Sequence, residues 1–384
     1  MRSAQIRKYG RYILNILIVI GTRPEAVKLA PVVTSLMENT NVNVSVLVTA
    51  QHRRMLDEVL DIFDIVPDYD LDIMSDNQTP TDVFIQVLHG IQPILLETKP
   101  DWLLVQGDTT TVLASTIAAA YAKIPVGHIE AGLRTYNRDN PFPEEINRVL
   151  TDHAASLHFA PTLTDRKALL REGISDQTIH VTGNTVIDAL NTIIARPEPS
   201  SFRDLLSNIP DDKRLILVTA HRRENFGEPL QMIIVALLQL AKREDIHIIY
   251  PAHPNPNIDN PIKELLLNQK NISIVEPLDY LTFAHLMKNS YLILTDSGGI
   301  QEEAPGLGTP VLVLRKATER TEAIEQGTAI MVGTDTEKIV KSVKLLLDNQ
   351  SSYKEMIKTV NPFGDGKASQ RIVSILLDQI SASD

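Results

Sequence analysis

The sequence predicts an α/β protein built from two doubly wound, Rossmann-like units. Three observations carry that prediction. Short β-rich apolar runs alternate with longer helical patterns along the chain. The apolar runs are continuous rather than alternating, as strands buried on both faces require. The length, 384 residues, exceeds what one core usually serves and suggests two domains of about 150–200 residues each.

Taken in order, the chain opens with "MRSAQIRKYGRYILNILIVIG", in which four basic residues precede the apolar run Ile13–Ile20. That arrangement imitates a signal peptide. The run is short, no small-x-small cleavage site follows, and "GTRPE" comes at once. The expectation is therefore a basic tail followed by a buried first strand. The strand "ILNILIVI" leads to a helix through "AVKLAPVVTSLME", "VSVLVTA" to "HRRMLDEVLDIF", and "WLLVQGD" to "TTTVLASTIAAAYA", with "IPVGHIE" after it. The second half repeats the habit. Its strands are "RLILVTA", "IHIIYPA", "ISIVEP", "YLILTD" and "PVLVL", and its helices are "PLQMIIVALLQLAKR", "FAHLMKN" and "TEKIVKSVKLLLDN". The join falls within residues 182–213, where "RPEPSS" has a linker's composition. "NPFGDGKAS" breaks the chain before a last helix, "QRIVSILLDQI". The expected domains are residues 1–182, joined by the closing helix 367–384, and residues 183–366.

Composition narrows the function. A net charge of -11 repels phosphate backbones and anionic lipid, so nucleic acid and membrane surfaces are disfavoured as partners. No run approaches the ~18 apolar residues that a spanning helix needs. The chain has no cysteine, which removes disulfides, thiolate nucleophiles and cysteine-bound zinc and fits a cytoplasmic address. No His/Asp spacing compels a metal.

Five strand ends carry polar clusters: "GTRPE", "QGDTTT", "HIEAGLRT", "TAHRRENFG" and "TDSGGIQEE". Ligands of open parallel sheets bind outside the carboxyl ends of the strands, so clusters there point to a binding site. Ser297, Gly298 and Gly299 open a helix whose free amides can hold a phosphate at close range. Glu302 and Glu303, about one turn in, offer a carboxylate to a ribose diol. The pattern G-x-G-x-x-G is absent, which disfavours a dinucleotide cofactor. Arg23 and Lys28 in "GTRPEAVK" and Arg320 in "TERTEAIEQG" supply cations, and an arginine fork can bind two phosphate oxygens. Asp108 and Glu130 follow buried strands, and Glu144 and Glu145 sit in "NPFPEEINR", where prolines are expected to hold a loop. Such acids are either paired with Arg134, Arg138 or Arg148 or equipped for proton transfer. His221 stands at a strand end beside Arg222, Arg223 and Glu224 and can hold or protonate a departing phosphate. His253 in "PAHPNP" is similar, whereas His89, His247 and His285 read as core or surface residues.

Together, "GTRPEAVKLAPV", "VQGDTTTVLA", "HIEAGLRT", "PFPEEINR", "HFAPT", "VTGNTVIDAL", "TAHRRENFG" and "TDSGGIQEEAPGLGTPVLVLR" resemble the non-hydrolysing UDP-N-acetylglucosamine 2-epimerases, in the family's order and over nearly the whole chain from about residue 14. The resemblance implies a GT-B-like fold, two Rossmann-like domains facing a cleft, with the last helix crossing back to the first. It implies interconversion of UDP-GlcNAc and UDP-ManNAc by a homodimer, as a cytoplasmic supply of UDP-ManNAc for surface polysaccharide. On this basis Arg23, His221, Ser297, Gly298, Gly299 and Arg320 correspond to diphosphate contacts, Glu303 to the ribose holder and Phe283 to the uracil neighbour. Lys28, Asp108, Glu130 and Glu144 correspond to the sugar-end and acid–base group. Leu278 stands where some relatives have glutamine.

The chemistry accounts for those residue types. The sugar C2 proton is not acidic, because C1 is an acetal. Expelling UDP from C1 and removing the C2 proton gives 2-acetamidoglucal, and re-addition with a proton on the other face inverts C2. Cations and helix amides steady the departing UDP, carboxylates move the proton, and no nicotinamide is needed. Which acid takes the proton stays open at this level; Asp108 is the expected one, with Glu130 and Glu144 as partners. The rivals are a hydrolysing 2-epimerase that releases free ManNAc, a GT-B glycosyltransferase and a non-catalytic UDP-sugar sensor.

The family's allosteric UDP-GlcNAc site corresponds to Gln51, His52, Gln78, Glu144, Arg222 and His253. Before Gln78 many relatives carry arginine, and this chain has Asn77. Loss of that cation predicts weaker activation of the reverse reaction by UDP-GlcNAc. Initial rates from UDP-ManNAc, with and without added UDP-GlcNAc, measure it, and a strict requirement for the activator contradicts it.

Overall fold

The structure, a computed structural model, describes residues 13–50, 53–75, 78–251, 256–267, 269–358 and 360–381. The chain divides into two compact units. One runs to Ala189 and takes up the chain again from Phe363, and the other is Leu190–Pro362. The expected divisions, 182/183 and 366/367, differ from these limits by seven and four residues.

In the first unit the strands are β1 (Leu14–Ile20), β2 (Val42–Val48), β3 (Tyr69–Asp70), β4 (Trp102–Gln106), β5 (Val126–Ile129), β6 (Leu157–Ala160) and β7 (Ile179–Val181). Among the described residues they form one parallel sheet in the order β3-β2-β1-β4-β5-β6-β7. The second unit has β8 (Arg214–Thr219), β9 (Ile246–Pro251), β10 (Ile272–Val275), β11 (Leu292–Thr295), β12 (Val311–Val313) and β13 (Ala329–Met331). They are parallel in the order β10-β9-β8-β11-β12-β13. Each sheet therefore winds outward from its first strand and reverses between its first and fourth, the doubly wound arrangement that the continuous apolar runs predict.

Burial on both faces explains those runs. Leu17, Ile18 and Ile20 of β1, and Ile216, Leu217 and Val218 of β8, are fully buried. Helices cover the sheets with apolar stripes at helical spacing: Ile233, Leu237 and Leu240 of the helix Glu228–Leu240 pack in one cluster with Ile248, Leu294 and Val343. The last helix, Ala368–Ser381, packs against the helix Arg23–Met37 within the first unit. Asp188 anchors its start by accepting from the amides of Ala368 (3.2 Å) and Ser369 (2.8 Å) and from the Ser369 hydroxyl (2.6 Å). Among the described residues no helix is long and apolar enough to cross a membrane.

Two of the helices that depart from the sequence expectation are Pro80–Thr98 and Glu144–Ala154. Pro80–Thr98 is a helix despite Gly90 and Pro93, and it starts with a capping box between Thr79 and Asp82. The second departure is a correction. Glu144 and Glu145 do not lie in a loop; Pro141 and Pro143 precede the helix Glu144–Ala154, and both acids occupy its first turn, where carboxylates favour the helix dipole.

Gly132 shows how tightly the segment after β5 is seated. Its φ is +93°, and a Cβ there would lie 2.4 Å from the Asp165 carbonyl oxygen, whereas Gly173, at φ +84°, has open space around it. Gly132→Ala is expected to cost more than about 3 kcal/mol, and Gly173→Ala about 1 kcal/mol from backbone strain alone. Urea denaturation of the two variants checks the ranking.

Candidate active site

In each unit the candidate side chains named from the sequence gather at the carboxyl ends of the two strands where the sheet reverses. In the first unit these are β1 and β4, with β5 alongside. Gly21 and Thr22 leave β1, and Arg23 and Pro24 begin a helix. Glu25 folds back against this turn: its carboxylate accepts from the Gly21 amide at 2.7 Å and the Thr22 hydroxyl at 3.0 Å. Lys28, one turn further, brings its Nζ to 2.5 Å from Glu130 Oε1. Glu130 also accepts from Asn184 Nδ2 at 3.0 Å and from Gln106 Nε2. Its backbone has φ +66°, a left-handed conformation that a glutamate adopts at a cost.

Asp108 follows β4. Its Oδ2 accepts from Arg148 Nη2 at 2.5 Å, its carbonyl accepts from Asn147 Nδ2 at 2.9 Å, and its side chain stays 28% exposed. Arg148 Nη1 reaches Glu145 Oε2 at 3.2 Å, and Glu145 also accepts from the amides of Thr135 and Tyr136. Glu145 is thus a structural acid. Its neighbour Glu144 differs, because its Oε2 is buried without a hydrogen-bond partner among the described residues. Beneath this group His128 of β5 is fully buried, with Nδ1 2.6 Å from Asp152 Oδ1 and Nε2 2.8 Å from the Gly107 carbonyl. Burial pushes the Asp152 carboxyl up, but His128 and Arg134 outweigh it and hold it below the usual range. Arg134 continues the network to Glu172 at 2.6 Å.

In the second unit the reversal lies between β8 and β11. The Thr219 and Thr295 hydroxyls meet at 2.6 Å, and the Ser297 amide donates to Thr295 Oγ1 at 2.9 Å. Ser297 is the N-cap of the helix Gly298–Gly306 but makes no side-chain cap bond. Arg320 crosses this helix start: a Cβ on Gly298 would lie 3.3 Å from its Cζ. Its guanidinium donates to Glu302 at 2.7 Å and Glu319 at 2.8 Å. Burial raises the Glu319 carboxyl, but the charges of Arg320, Arg315 and Arg222 bring it down to about 2. The Arg222 guanidinium is lowered by burial and by Arg315 beside it. Glu303 accepts from the Tyr280 hydroxyl at 3.0 Å, and half-buried Phe283 lies on the same helix as Tyr280, Tyr280–Asn289. His221 follows β8, with Nδ1 3.6 Å from Asp296 Oδ1.

Sequence reasoning therefore marked residues that the fold brings together: Lys28 with Glu130, and Gly298 with Arg320. Of the two glutamates after the glycine pair, Glu302 is committed to Arg320, while Glu303 carries a tyrosine hydroxyl. Gln78 donates through Nε2 to the Ile73 carbonyl and to Gln86 Oε1 at 3.1 Å. Gln51, His52, Asn77 and His253 lie outside the described residues. Sequence reasoning passed over Gln106, Asn184, Glu25 and Asp296. A polar residue ending a buried strand, as in "VQGD" and "LTD", was the available signal for two of them.

Two Rossmann-like units, each with charged and glycine-bearing strand ends at its reversal point, define an α/β enzyme class. The model of the family described as UDP-N-acetylglucosamine 2-epimerase matches residues 34–377. The UDP-N-acetylglucosamine 2-epimerase of Escherichia coli O157:H7 is 51% identical over 369 residues, covering 94% of this chain and 98% of that protein. The crystal structure of UDP-GlcNAc 2-epimerase from Neisseria meningitidis bound to UDP-GlcNAc has a TM-score of 0.89 and 46% identity, covering 95% of this chain and all of that one. A glycosyltransferase from Rickettsia africae, 16% identical with a TM-score of 0.62, shares the fold alone. The chain belongs to the UDP-N-acetylglucosamine 2-epimerase family.

Glu25 gives a stability prediction. Burial pushes its carboxyl up to about 7 from 4.5, against the bonds from Gly21, Thr109 and Thr22, and the charge of Asp108 adds to the rise. Because the folded state holds the proton more tightly, this contribution is full below pH 4.5, is lost as pH rises to about 7 and is flat above that. The total is about 3 kcal/mol. Glu25→Gln keeps an acceptor for Gly21 and cannot ionise. Relative to that variant, the wild type is expected to lose up to about 3 kcal/mol across this interval, measured by urea denaturation.

Proposed function

We propose that the chain is a non-hydrolysing epimerase that interconverts UDP-GlcNAc and UDP-ManNAc by elimination and re-addition of UDP. The observation that carries this reading is the acid group of the first unit. Asp108 is held by Arg148 yet partly exposed, and Glu144 keeps a buried oxygen without a partner among the described residues. The Neisseria relative's bound UDP-GlcNAc supports the choice of substrate.

In the proposed reaction the C1–O bond breaks and its electron pair leaves with UDP. Asp108 accepts the C2 proton, and the C–H electrons form the C1=C2 double bond. Arg23, His221, Arg320 and the amides of Gly298 and Gly299 hold the diphosphate while it is detached, Glu303 the ribose and Phe283 the uracil. Lys28, Glu130 and Glu144 orient the sugar and return a proton to the opposite face before UDP adds back at C1. Proton transfer by a placed carboxylate supplies about 10²–10⁴-fold, and placed cations supply the rest of the leaving-group stabilisation. The steps require no nicotinamide. A homodimeric, cytoplasmic enzyme serving surface polysaccharide is the setting we infer from the family.

Incubation with UDP-GlcNAc in deuterated water, followed by NMR, tests this. The expected product is UDP-ManNAc with deuterium at C2. Free ManNAc identifies a hydrolysing enzyme, and no exchange identifies a transferase or a sensor. Asp108→Asn is expected to keep UDP affinity while turnover falls about 10²–10⁴-fold; near-normal turnover removes Asp108 from the catalytic set.

A further inference from the structure

Asp296 lies between β11 and the glycine pair and is fully buried, and the mechanism above gives it no part. Its two oxygens have different surroundings. Oδ2 accepts from the amides of His221 and Arg222, both at 2.8 Å, and from Asn225 Nδ2 at 2.9 Å. Oδ1 is buried and has no hydrogen-bond partner among the described residues. A buried carboxylate oxygen without a protein donor is costly and normally has a reason. His221 Nδ1 stands 3.6 Å from it, on a side chain 39% exposed. That separation is too long for a hydrogen bond, but a modest turn of the ring closes it. Catalytic hydrogen bonds are often long in an unliganded site and tighten in the complex.

The geometry points to Asp296 as the positioning residue for His221. It fixes the His221 backbone through Oδ2, accepts a hydrogen bond from Nδ1–H on Oδ1 and stabilises the imidazolium, so that Nε2–H donates to an oxygen of the detached diphosphate. This assignment rests on the proposed contact between His221 and that diphosphate. The asymmetry also dictates what an amide does at this position. In Asp296→Asn the three donors on Oδ2 require the amide oxygen there, so the NH₂ group must face His221 Nδ1. Nδ1 then accepts instead of donating, and the ring is held neutral. Hydrogen bonds from charged donors are roughly twice as strong as neutral ones.

Three variants test it: Asp296→Asn, His221→Gln and the double variant, each studied by UDP titration calorimetry, by turnover and, where His221 remains, by ¹⁵N NMR of the ring. UDP-bound wild type is expected to show protons on both nitrogens of His221. Asp296→Asn is expected to lose the Nδ1 proton, to bind UDP about ten-fold more weakly and to turn over more slowly. In the His221→Gln background the same change costs nothing further, which separates action through His221 from general support of the loop. Wild-type affinity in Asp296→Asn overturns the assignment, as does an undiminished loss in the double variant. If His221→Gln leaves both affinity and turnover intact, the diphosphate role of His221 fails, and the assignment of Asp296 falls with it. Should Asp296→Asn not fold, UDP-bound wild type lacking a proton on His221 Nδ1 is decisive against the proposal.

Discussion

A carboxylate at the end of a buried parallel strand has too little water to stand alone; it must find a cation or several polar donors. That constraint organises both units of this chain. Asp108 is held by Arg148, Glu130 by Lys28 with Asn184 and Gln106, and Glu302 by Arg320. Asp296 and Glu25 use a different solution, neutral amides and hydroxyls. The difference has a consequence for Glu25: burial pushes its carboxyl up to about 7, where it exchanges protons near neutrality.

The doubly wound sheet is what makes such pairing feasible. Because strand order reverses beside β1 and β4, chain segments far apart in sequence emerge side by side. Lys28 meets Glu130, and Asp108 meets Arg148, across the same edge. The first turn of the helix Glu144–Ala154 delivers two acids to different fates. Glu145 is consumed by Arg148 and two backbone amides, while one oxygen of Glu144 is left for something the protein itself does not supply among its described residues. The left-handed backbone of Glu130 fits the same picture, since strain of this kind persists where surrounding contacts hold it.

In the second unit the corresponding edge is the one that the proposed reading gives to the diphosphate. Gly298 lets the Arg320 guanidinium lie close to the start of a helix, and Ser297 leaves the first amides without a side-chain cap. Glu319 and Glu302 hold that guanidinium in place, so it is oriented before any ligand arrives. Preorganised cations of this kind do not have to reorganise when charge develops on a leaving group, which is where most of their value lies.

The sequence by itself determined the architecture and marked the candidate chemistry-bearing positions. Continuous apolar runs such as "LILVT" imply sheets buried on both faces, and glycine, arginine and acid at their ends mark the ligand edge, because these features are local in the chain. It missed the helix Pro80–Thr98, where Gly90 and Pro93 interrupt the pattern, and it mistook the start of the helix Glu144–Ala154 for a loop, because two prolines precede it. Only the tertiary structure decided which partners each acid takes, and that one oxygen of Glu144 is buried without one among the described residues. It separated Glu144 from Glu145 and Glu303 from Glu302, and it brought Asp296 under His221. Partnership of that kind depends on strand order and helix phase across long stretches of chain, and no local pattern encodes the distance between two side chains.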